Sequence, residues 1–294
     1  MIAIPISISL GIVAVLPGAF DASFTASAGY VIRSMVGGID SFPLLAVPMF
    51  VLAGILMAHG KISEKLFDVF VYFLGNKRAG IPCAVIITCL FYGAISGSAP
   101  ATVAAVGSMT IPLLIELGYE KDFSTAIVAV AGGLGVIIPP SIPFIMYAMA
   151  TGESVSDLFL AGIVPGMMIS ALLIFYAYYY CRRHGEDREK IQAKMGQLKA
   201  KGFFNILKES IWALLSPVIV LGCIYTGVAS PTEAAVISVF YSLFVSLFIY
   251  RSIKVKQIWG IMVEAMKTYA PILFILATST AFSRVLTLMQ VPQD

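Results

Sequence analysis

The stretch GAISGSAPATVAAVGSMTIP, residues 93–112, decides the fold, because it puts a polar break inside apolar sequence. Apolar residues that favour helix lie on both sides of a short segment, 96–100, which holds serine, glycine and proline. Such a break is costly inside a bilayer, since no water is present there to satisfy free backbone groups. Its meaning therefore depends on whether this part of the chain lies in a membrane.

The composition indicates a membrane protein. Of 294 residues, 59% are hydrophobic and only 12% are charged, and the mean hydropathy is +0.94. Several apolar runs approach the roughly 20 residues of a membrane-spanning helix, so we predict an all-α polytopic membrane protein in contact with the lipid bilayer. The small net charge of +3 indicates no nucleic-acid partner. Four cysteines without CxxC spacing and two histidines argue against a disulfide framework or a structural metal.

Basic residues predict the direction of each crossing. Residues 182–209 contain eight Lys or Arg and four acidic residues, which makes this segment the main cytoplasmic loop by the positive-inside rule. The preceding span, 152–181, then starts outside the cell, beside Glu153. Lys77 and Arg78 place the start of the next segment upstream, 79–116, on the cytoplasmic side as well.

Two consecutive segments do not fit as ordinary spans. Residues 79–116 begin and end on the same side but are too short for two full crossings and a turn, which needs more than about 40 residues. They predict a re-entrant hairpin with its tip near the bilayer midplane. Residues 123–151 are too long for one straight span, and Pro139 and Pro140 interrupt them, which predicts a broken helix.

The two ends of the chain predict an inverted-topology repeat, a pattern typical of transporters. In each, a span is followed by an amphipathic interfacial stretch (Ser27–Gly38 and Trp259–Tyr269) and a second span, but the directions are opposite. The predicted parts are a first scaffold part (1–78), a transport part (79–151, with hairpin 79–116 and broken helix 123–151), a span (152–181), the cytoplasmic basic loop (182–209) and the start of a second, inverted scaffold repeat (210–294).

The two breaks carry the candidate chemistry. Gly97 is suited to a left-handed cap at the end of the first half-helix, and Pro100 to the first turn of the second. The tip then presents carbonyl and N–H groups, to which serine and threonine add hydroxyl oxygens of the kind that bind Na⁺. At the second break, Ser141 is predicted to cap the outer helix, and the carbonyls of 136–139 lose their helical donors. The alternative interpretation is that proline and small residues serve packing alone.

The sequence resembles the large membrane subunit of the tripartite ATP-independent periplasmic (TRAP) transporters. The resemblance runs across nearly the whole chain and rests on four stretches: FYGAISGSAPATVAAVGSMTIPLLIELGY (91–119), GVIIPPSIPFIMYA (135–148), LFLAGIVPGMM (158–168) and SPTEAAVISVFY (230–241). It implies an inverted-repeat, elevator-type permease subunit in a bacterial or archaeal inner membrane. That subunit would import organic acids (carboxylates) with a Na⁺ gradient, together with a small membrane subunit and a periplasmic substrate-binding protein.

The resemblance also implies site residues. The Na⁺ candidates are Ser96, Gly97, Ser98, Ala99, Ile138, Pro139 and Ser141. The substrate candidates are Ser98, Pro100, Thr102, Pro140 and Ser141. Family members continue through a second hairpin and a second broken helix, so we expect this chain to represent part of the subunit.

Two alternatives remain beside Na⁺-coupled import. A proton-coupled transporter or antiporter of the same superfamily needs buried acidic or histidine side chains, and neither break contains one. An intramembrane enzyme needs a nucleophile paired with a base, or a metal site, at membrane depth. Ser98 has no His, Lys or Asp in a neighbouring span, so the sequence predicts that the chain is not an enzyme.

Overall fold

The computed structural model describes residues 4–20, 26–200 and 202–291, and these residues form helices without any strand. Within the described ranges, six helices are long and apolar enough to cross a membrane: Phe42–His59, Ala99–Glu116, Val155–His184, Phe203–Tyr225, Pro231–Ile249 and Val255–Leu288. The chain is therefore an all-α polytopic membrane protein, as predicted.

The chain divides into two compact units. The first consists of residues 1–45 and 263–294. It contains α1 (Ile6–Phe20), α2 (Ala28–Ile39), a 3₁₀ turn (Phe42–Leu45) and the later part of α13 (Val255–Leu288). Its small core joins Ala14 and Val31 to Ala281 and Val285. The predicted interfacial helix corresponds to α2, whose cap Ser27 accepts a hydrogen bond from the Tyr30 N–H at 3.4 Å.

The second unit, residues 46–262, holds both breaks. Its helices are α3 (Ala46–His59), α4 (Ile62–Leu74), α5 (Gly80–Ser96), α6 (Ala99–Glu116), α7 (Lys121–Gly132), α8 (Ile142–Thr151), α9 (Val155–His184), α10 (Arg188–Ala200), α11 (Phe203–Tyr225), α12 (Pro231–Phe244) and the first turns of α13. A 3₁₀ turn (Gly133–Val136) follows α7, and a π-helical turn (Val245–Ile249) follows α12.

Helix α5 lies at the centre of the second unit. Thirteen of its 17 residues are buried, and it packs against α4, α6, α7 and α9. A helix whose end is packed against protein can end inside a membrane, because its neighbours satisfy its terminal backbone groups. The burial of α5 therefore fits the predicted hairpin.

The structure shows helices in two of the predicted segments, whose places relative to the membrane stay predictions. The predicted basic loop is largely helical, because α10 buries Ile191, Met195 and Leu198, an i, i+4, i+7 stripe, while its charged residues face outward. Its Lys, Glu, Gln and Ala residues are also good helix formers. The predicted interfacial stretch Trp259–Tyr269 and the span after it form one helix, α13, which continues through Pro271. One proline removes only one hydrogen bond from a helix of 34 residues.

Candidate functional site

The first break has the predicted backbone. Gly97 adopts a left-handed conformation (φ 62°), and its N–H caps α5 by donating to the Gly93 carbonyl at 3.0 Å. Ser98 is extended and precedes α6, and Pro100 lies in the first turn of α6. Glycine suits this position, because it adopts positive φ without the steric penalty that a Cβ brings.

Two buried hydroxyls hold the tip together. Ser96 Oγ lies 3.0 Å from Thr102 Oγ1, and Thr102 Oγ1 donates to the Ser98 carbonyl at 2.8 Å. Ser96 and Thr102 are 1% and 0% exposed. The hydroxyls of these two side chains therefore form hydrogen bonds within the turn itself.

The second break follows the 3₁₀ turn after α7. The backbone is irregular from Ile137 to Pro140 and includes a cis peptide bond between Pro139 and Pro140. Ser141 then caps α8 as predicted: its hydroxyl accepts from the Phe144 N–H at 3.4 Å and donates to the Val136 carbonyl at 2.6 Å. This hydroxyl therefore connects the 3₁₀ turn before the break to the first turn of α8 after it.

The two breaks are in direct contact. The Ile142 N–H donates to the Gly97 carbonyl at 3.3 Å. Gly135 permits the approach, since a Cβ there would lie 2.5 Å from Thr102 Oγ1 and 2.9 Å from the Ser98 carbonyl oxygen. The sequence prediction that both breaks meet at one place is confirmed.

Several oxygens at this junction remain free. No described residue donates a hydrogen bond to the carbonyls of Ile138, Pro139 or Pro140. The Ser98 side chain makes no capping hydrogen bond and is partly exposed, unlike those of Ser96 and Thr102. The Pro140 carbonyl lies next to Gly97, whose Cβ, if present, would be 2.9 Å away.

This oxygen-only set fits a hard cation. Carbonyl and hydroxyl oxygens suit such ions, whereas transition metals favour nitrogen and sulfur. In the described part of the chain, His, Cys, Asp and Glu form no group of three or more that could hold a metal. Residues 93–112 and 132–144 carry no charged side chain, so the polarity of the site comes from hydroxyls and the backbone.

The candidate residues for substrate differ in what they can still bind. Helix α6 leaves the N–H groups of Ala99 and Ala101 without an acceptor among the described residues. At α8, by contrast, the N–H groups of Ile142 and Phe144 are already paired. An anion would therefore meet free donors only at α6, beside Ser98 and the exposed Pro100. Pro140 and Ser141 are buried.

Sequence reasoning missed two supports of the junction. The Tyr92 hydroxyl donates to the Gly54 carbonyl of α3 at 2.7 Å, and a Cβ on Gly54 would lie 3.0 Å from Ser96 Cβ. Helix α3 thus packs closely against the end of α5 at the tip. The only signal in the sequence was a glycine within an apolar span.

The second support fixes the base of the hairpin. The Glu186 side chain is only 3% exposed, and Arg188 lies 3.3 Å from its Oε2. Its Oε1 accepts from the Ala79 N–H at 3.0 Å and from the Tyr119 hydroxyl at 2.7 Å. Burial, followed by this hydrogen bond, raises the pKa of Tyr119. One carboxylate therefore ties together the turns before α5 and after α6.

Comparison with known proteins identifies the family. The family model described as "Tripartite ATP-independent periplasmic transporter, DctM component" matches residues 1–294. An isethionate TRAP transporter permease protein of Oleidesulfovibrio alaskensis is 40% identical over 99% of this chain and 45% of its own length. C4-dicarboxylate TRAP transporter large permease proteins of Pseudomonas aeruginosa and Rhodobacter capsulatus are 38% and 32% identical, over 87% and 98% of this chain and 58% and 67% of their own lengths.

The chain thus spans about half the length of the first two of these relatives, 45% and 58%. These relatives are named as permeases. With the family model matching from end to end, the chain belongs to the DctM component of the tripartite ATP-independent periplasmic transporters.

Proposed function

We propose that this chain forms part of the permease of a Na⁺-driven secondary transporter that imports organic acids across a bacterial or archaeal inner membrane. The observation that carries the proposal is the junction of the two breaks. The Pro140 carbonyl lies beside Gly97 at the tip, and the carbonyls of Ile138–Pro140 and the Ser98 side chain have no hydrogen-bond partner among the described residues. Residues 93–112 and 132–144 carry no charged side chain. Irregular backbone at membrane depth is tolerated where it is buried in protein or lines a water-filled cavity, and in transporters such broken helices form the ion and substrate sites.

The residues divide into two roles. Ser96, Thr102 and Ser141 shape the site, since their hydroxyls already form hydrogen bonds within it. Ser98 and the carbonyls of Ile138–Pro140 are the groups that would hold Na⁺. The ion would supply the positive charge that the site lacks.

A carboxylate would bind next to that ion. The free N–H groups of Ala99 and Ala101, at the positive end of the α6 dipole, would orient it. This arrangement explains how an acid binds without an arginine in the site. The names of the relatives support organic anions as cargo, because they refer to isethionate and C4-dicarboxylates. A periplasmic binding protein and a small membrane subunit complete the proposed transporter, as the tripartite family description indicates.

Sodium binding is the first test. Na⁺ is titrated into the purified chain in choline buffer and followed by calorimetry. Ser98→Ala removes one free oxygen while leaving the cap of α5 intact, and we expect about fivefold weaker binding, corresponding to about 1 kcal/mol for one neutral ligand. Ser108→Ala is the matched control, since Ser108 is exposed on α6 and bonds only to the Ala105 carbonyl at 3.2 Å. An equal change in both variants, or in neither, would contradict the site.

Transport is the second test, and it separates Na⁺ coupling from proton coupling. The complete transporter is reconstituted in vesicles with its small subunit and binding protein, and carboxylate uptake is measured. Uptake driven by a Na⁺ gradient at equal pH is expected. Uptake that follows a pH gradient without Na⁺ would favour the proton-coupled alternative.

A further inference from the structure

A groove of about 560 Å³ lies between α5 and α9, away from the junction of the two breaks. Its walls are apolar and include Leu74, Ile87, Ile174 and Phe175, whereas Lys77 and Arg78 lie at one end. An apolar groove on a membrane protein faces lipid or protein rather than water. The basic end distinguishes this groove from an ordinary gap between helices.

The two basic side chains form no ion pair with an acidic residue in the part of the chain that the structure describes. Lys77 and Arg78 are exposed, and neither forms an ion pair with a described residue. The nearby Glu186 carboxylate is already engaged with Arg188 at 3.3 Å. The end of the groove therefore keeps two uncompensated positive charges.

The turn that carries these charges is held in place. Within it, the Lys77 N–H donates to the Leu74 carbonyl at 2.8 Å, and the Gly80 N–H donates to the Lys77 carbonyl at 3.1 Å. From the segment after α9, Glu186 accepts from the Ala79 N–H and Arg188 donates to the Asn76 carbonyl at 3.2 Å. A charged pair on a fixed turn binds an anion with little loss of conformational entropy.

We propose that this groove binds an anionic phospholipid of the cytoplasmic leaflet. The phosphate would contact Lys77 and Arg78, and an acyl chain would lie along Ile174 and Phe175. The positive-inside rule puts this turn on the cytoplasmic side, where basic pockets between helices attract anionic headgroups. Tyr178 lines the same groove, as aromatic residues do at the headgroup level.

The choice of a lipid rests on charge and shape together. A helix of a partner protein would have to bring acidic residues to the basic end, whereas an anionic lipid carries an anion and an apolar chain in one molecule. The inference does not depend on Na⁺ coupling or on the identity of the transported acid.

The test uses native mass spectrometry of the purified 294-residue chain in detergent. Phosphatidylglycerol and phosphatidylcholine are titrated separately, and one tightly retained phosphatidylglycerol is expected. In Lys77→Gln/Arg78→Gln its affinity should fall about twenty-five-fold, because each basic residue near an anionic headgroup contributes about a factor of five. Lys254→Gln/Lys256→Gln makes the same charge change at another predicted cytoplasmic site, on exposed residues, and should change the affinity less than about twofold.

A second variant tests the apolar part. Ala171 is an exposed residue in the wall of the groove, so Ala171→Trp fills the groove without disturbing the core. It should abolish the retained lipid at unchanged helix content, measured by circular dichroism. Inorganic phosphate at the same concentration should not displace the lipid, since it lacks the acyl chain.

Four results would overturn the proposal. These are equal binding of both lipids, equal losses in the two double variants, displacement by phosphate alone, and full retention in Ala171→Trp. A chain that is dimeric, and that Ala171→Trp makes monomeric, would show instead that a second copy occupies the groove.

Discussion

At the scale of single residues, the junction of the two breaks depends on glycines, whose lack of a side chain lets the two backbones come close. Gly93, Gly97 and Gly135 lie where the two breaks touch, and a Cβ on Gly93 would lie 2.6 Å from the Gly135 Cα. Backbones can approach this closely only where side chains are missing. The Pro140 carbonyl therefore lies against the hairpin tip.

Comparing Gly97→Ala with a control variant separates the cost of the left-handed backbone from the cost of a steric clash with Pro140. The new Cβ would meet both a positive φ of 62° and the Pro140 carbonyl oxygen at 2.9 Å. Gly152→Ala is the matched control, because Gly152 also has a positive φ (78°) but no atom within 4 Å of the added Cβ. We expect the control to lose about 1–2 kcal/mol for the left-handed conformation, and Gly97→Ala to lose more. Thermal unfolding in detergent measures both, and equal losses would show that the contact with Pro140 is loose.

Sequence reasoning succeeded where one residue determines its own surroundings. The left-handed cap at Gly97 and the helix cap at Ser141 follow from local chemistry, and both were predicted. The contacts of Glu186 were beyond such reasoning, since Ala79 is 107 residues away in the chain. A burial pattern or capping preference carries no information about a partner at that distance. For the same reason, only the three-dimensional structure distinguishes the tip hydroxyls that form hydrogen bonds from the Ser98 hydroxyl, which makes no capping hydrogen bond.

At the scale of elements, the hairpin is fixed at both ends. Its tip bonds to the second break, and its base is tied to the segment after α9 through Glu186. Helices α5 and α6 therefore keep their place relative to α9 without an ion pair at the tip. The charged contact is confined to the base, where the sequence predicts the cytoplasmic boundary of the membrane.

Tyr119→Phe tests the base of the hairpin. It removes the 2.7 Å hydrogen bond to the buried Glu186 carboxylate, and we expect a loss of about 1.5–3 kcal/mol, as for hydrogen bonds to charged groups. Lys190→Ala is the control, because its ion pair with Asp187 is well exposed and worth about 0–1 kcal/mol. Equal shifts in thermal unfolding for the two variants would show that Glu186 does not need this donor.

The same variant has a pH signature. The raised pKa of Tyr119 means that the folded protein favours the neutral phenol. This contribution is fully present below the unfolded pKa of about 10 and is lost as pH rises above it toward the higher folded value. As pH rises above about 10, the stability of Tyr119→Phe should therefore fall less than that of the parent protein.

At the scale of the whole molecule, charge and length predict the crossings. Helix α9 has 30 residues and would extend about 45 Å, enough to cross a bilayer. Acidic residues stand near its start, at Glu153 and Asp157, and basic residues at its end, Arg182 and Arg183. The positive-inside rule assigns the start to the outside and the end to the cytoplasm.

Cysteine labelling in intact cells tests this topology. In a variant without the four native cysteines, single cysteines replace two exposed residues predicted to face outside, Glu153 and Val228, and two predicted to face inside, Lys121 and Lys199. A membrane-impermeant maleimide should label the first pair at once. It should label the second pair only after the membrane is permeabilised, which also verifies that all four thiols react. If Glu153→Cys and Lys199→Cys were labelled from the same side, α9 would not cross the membrane. The basic turn at Lys77 and Arg78 would then lose its assignment to the cytoplasmic leaflet, because that assignment relies on the same charge rule.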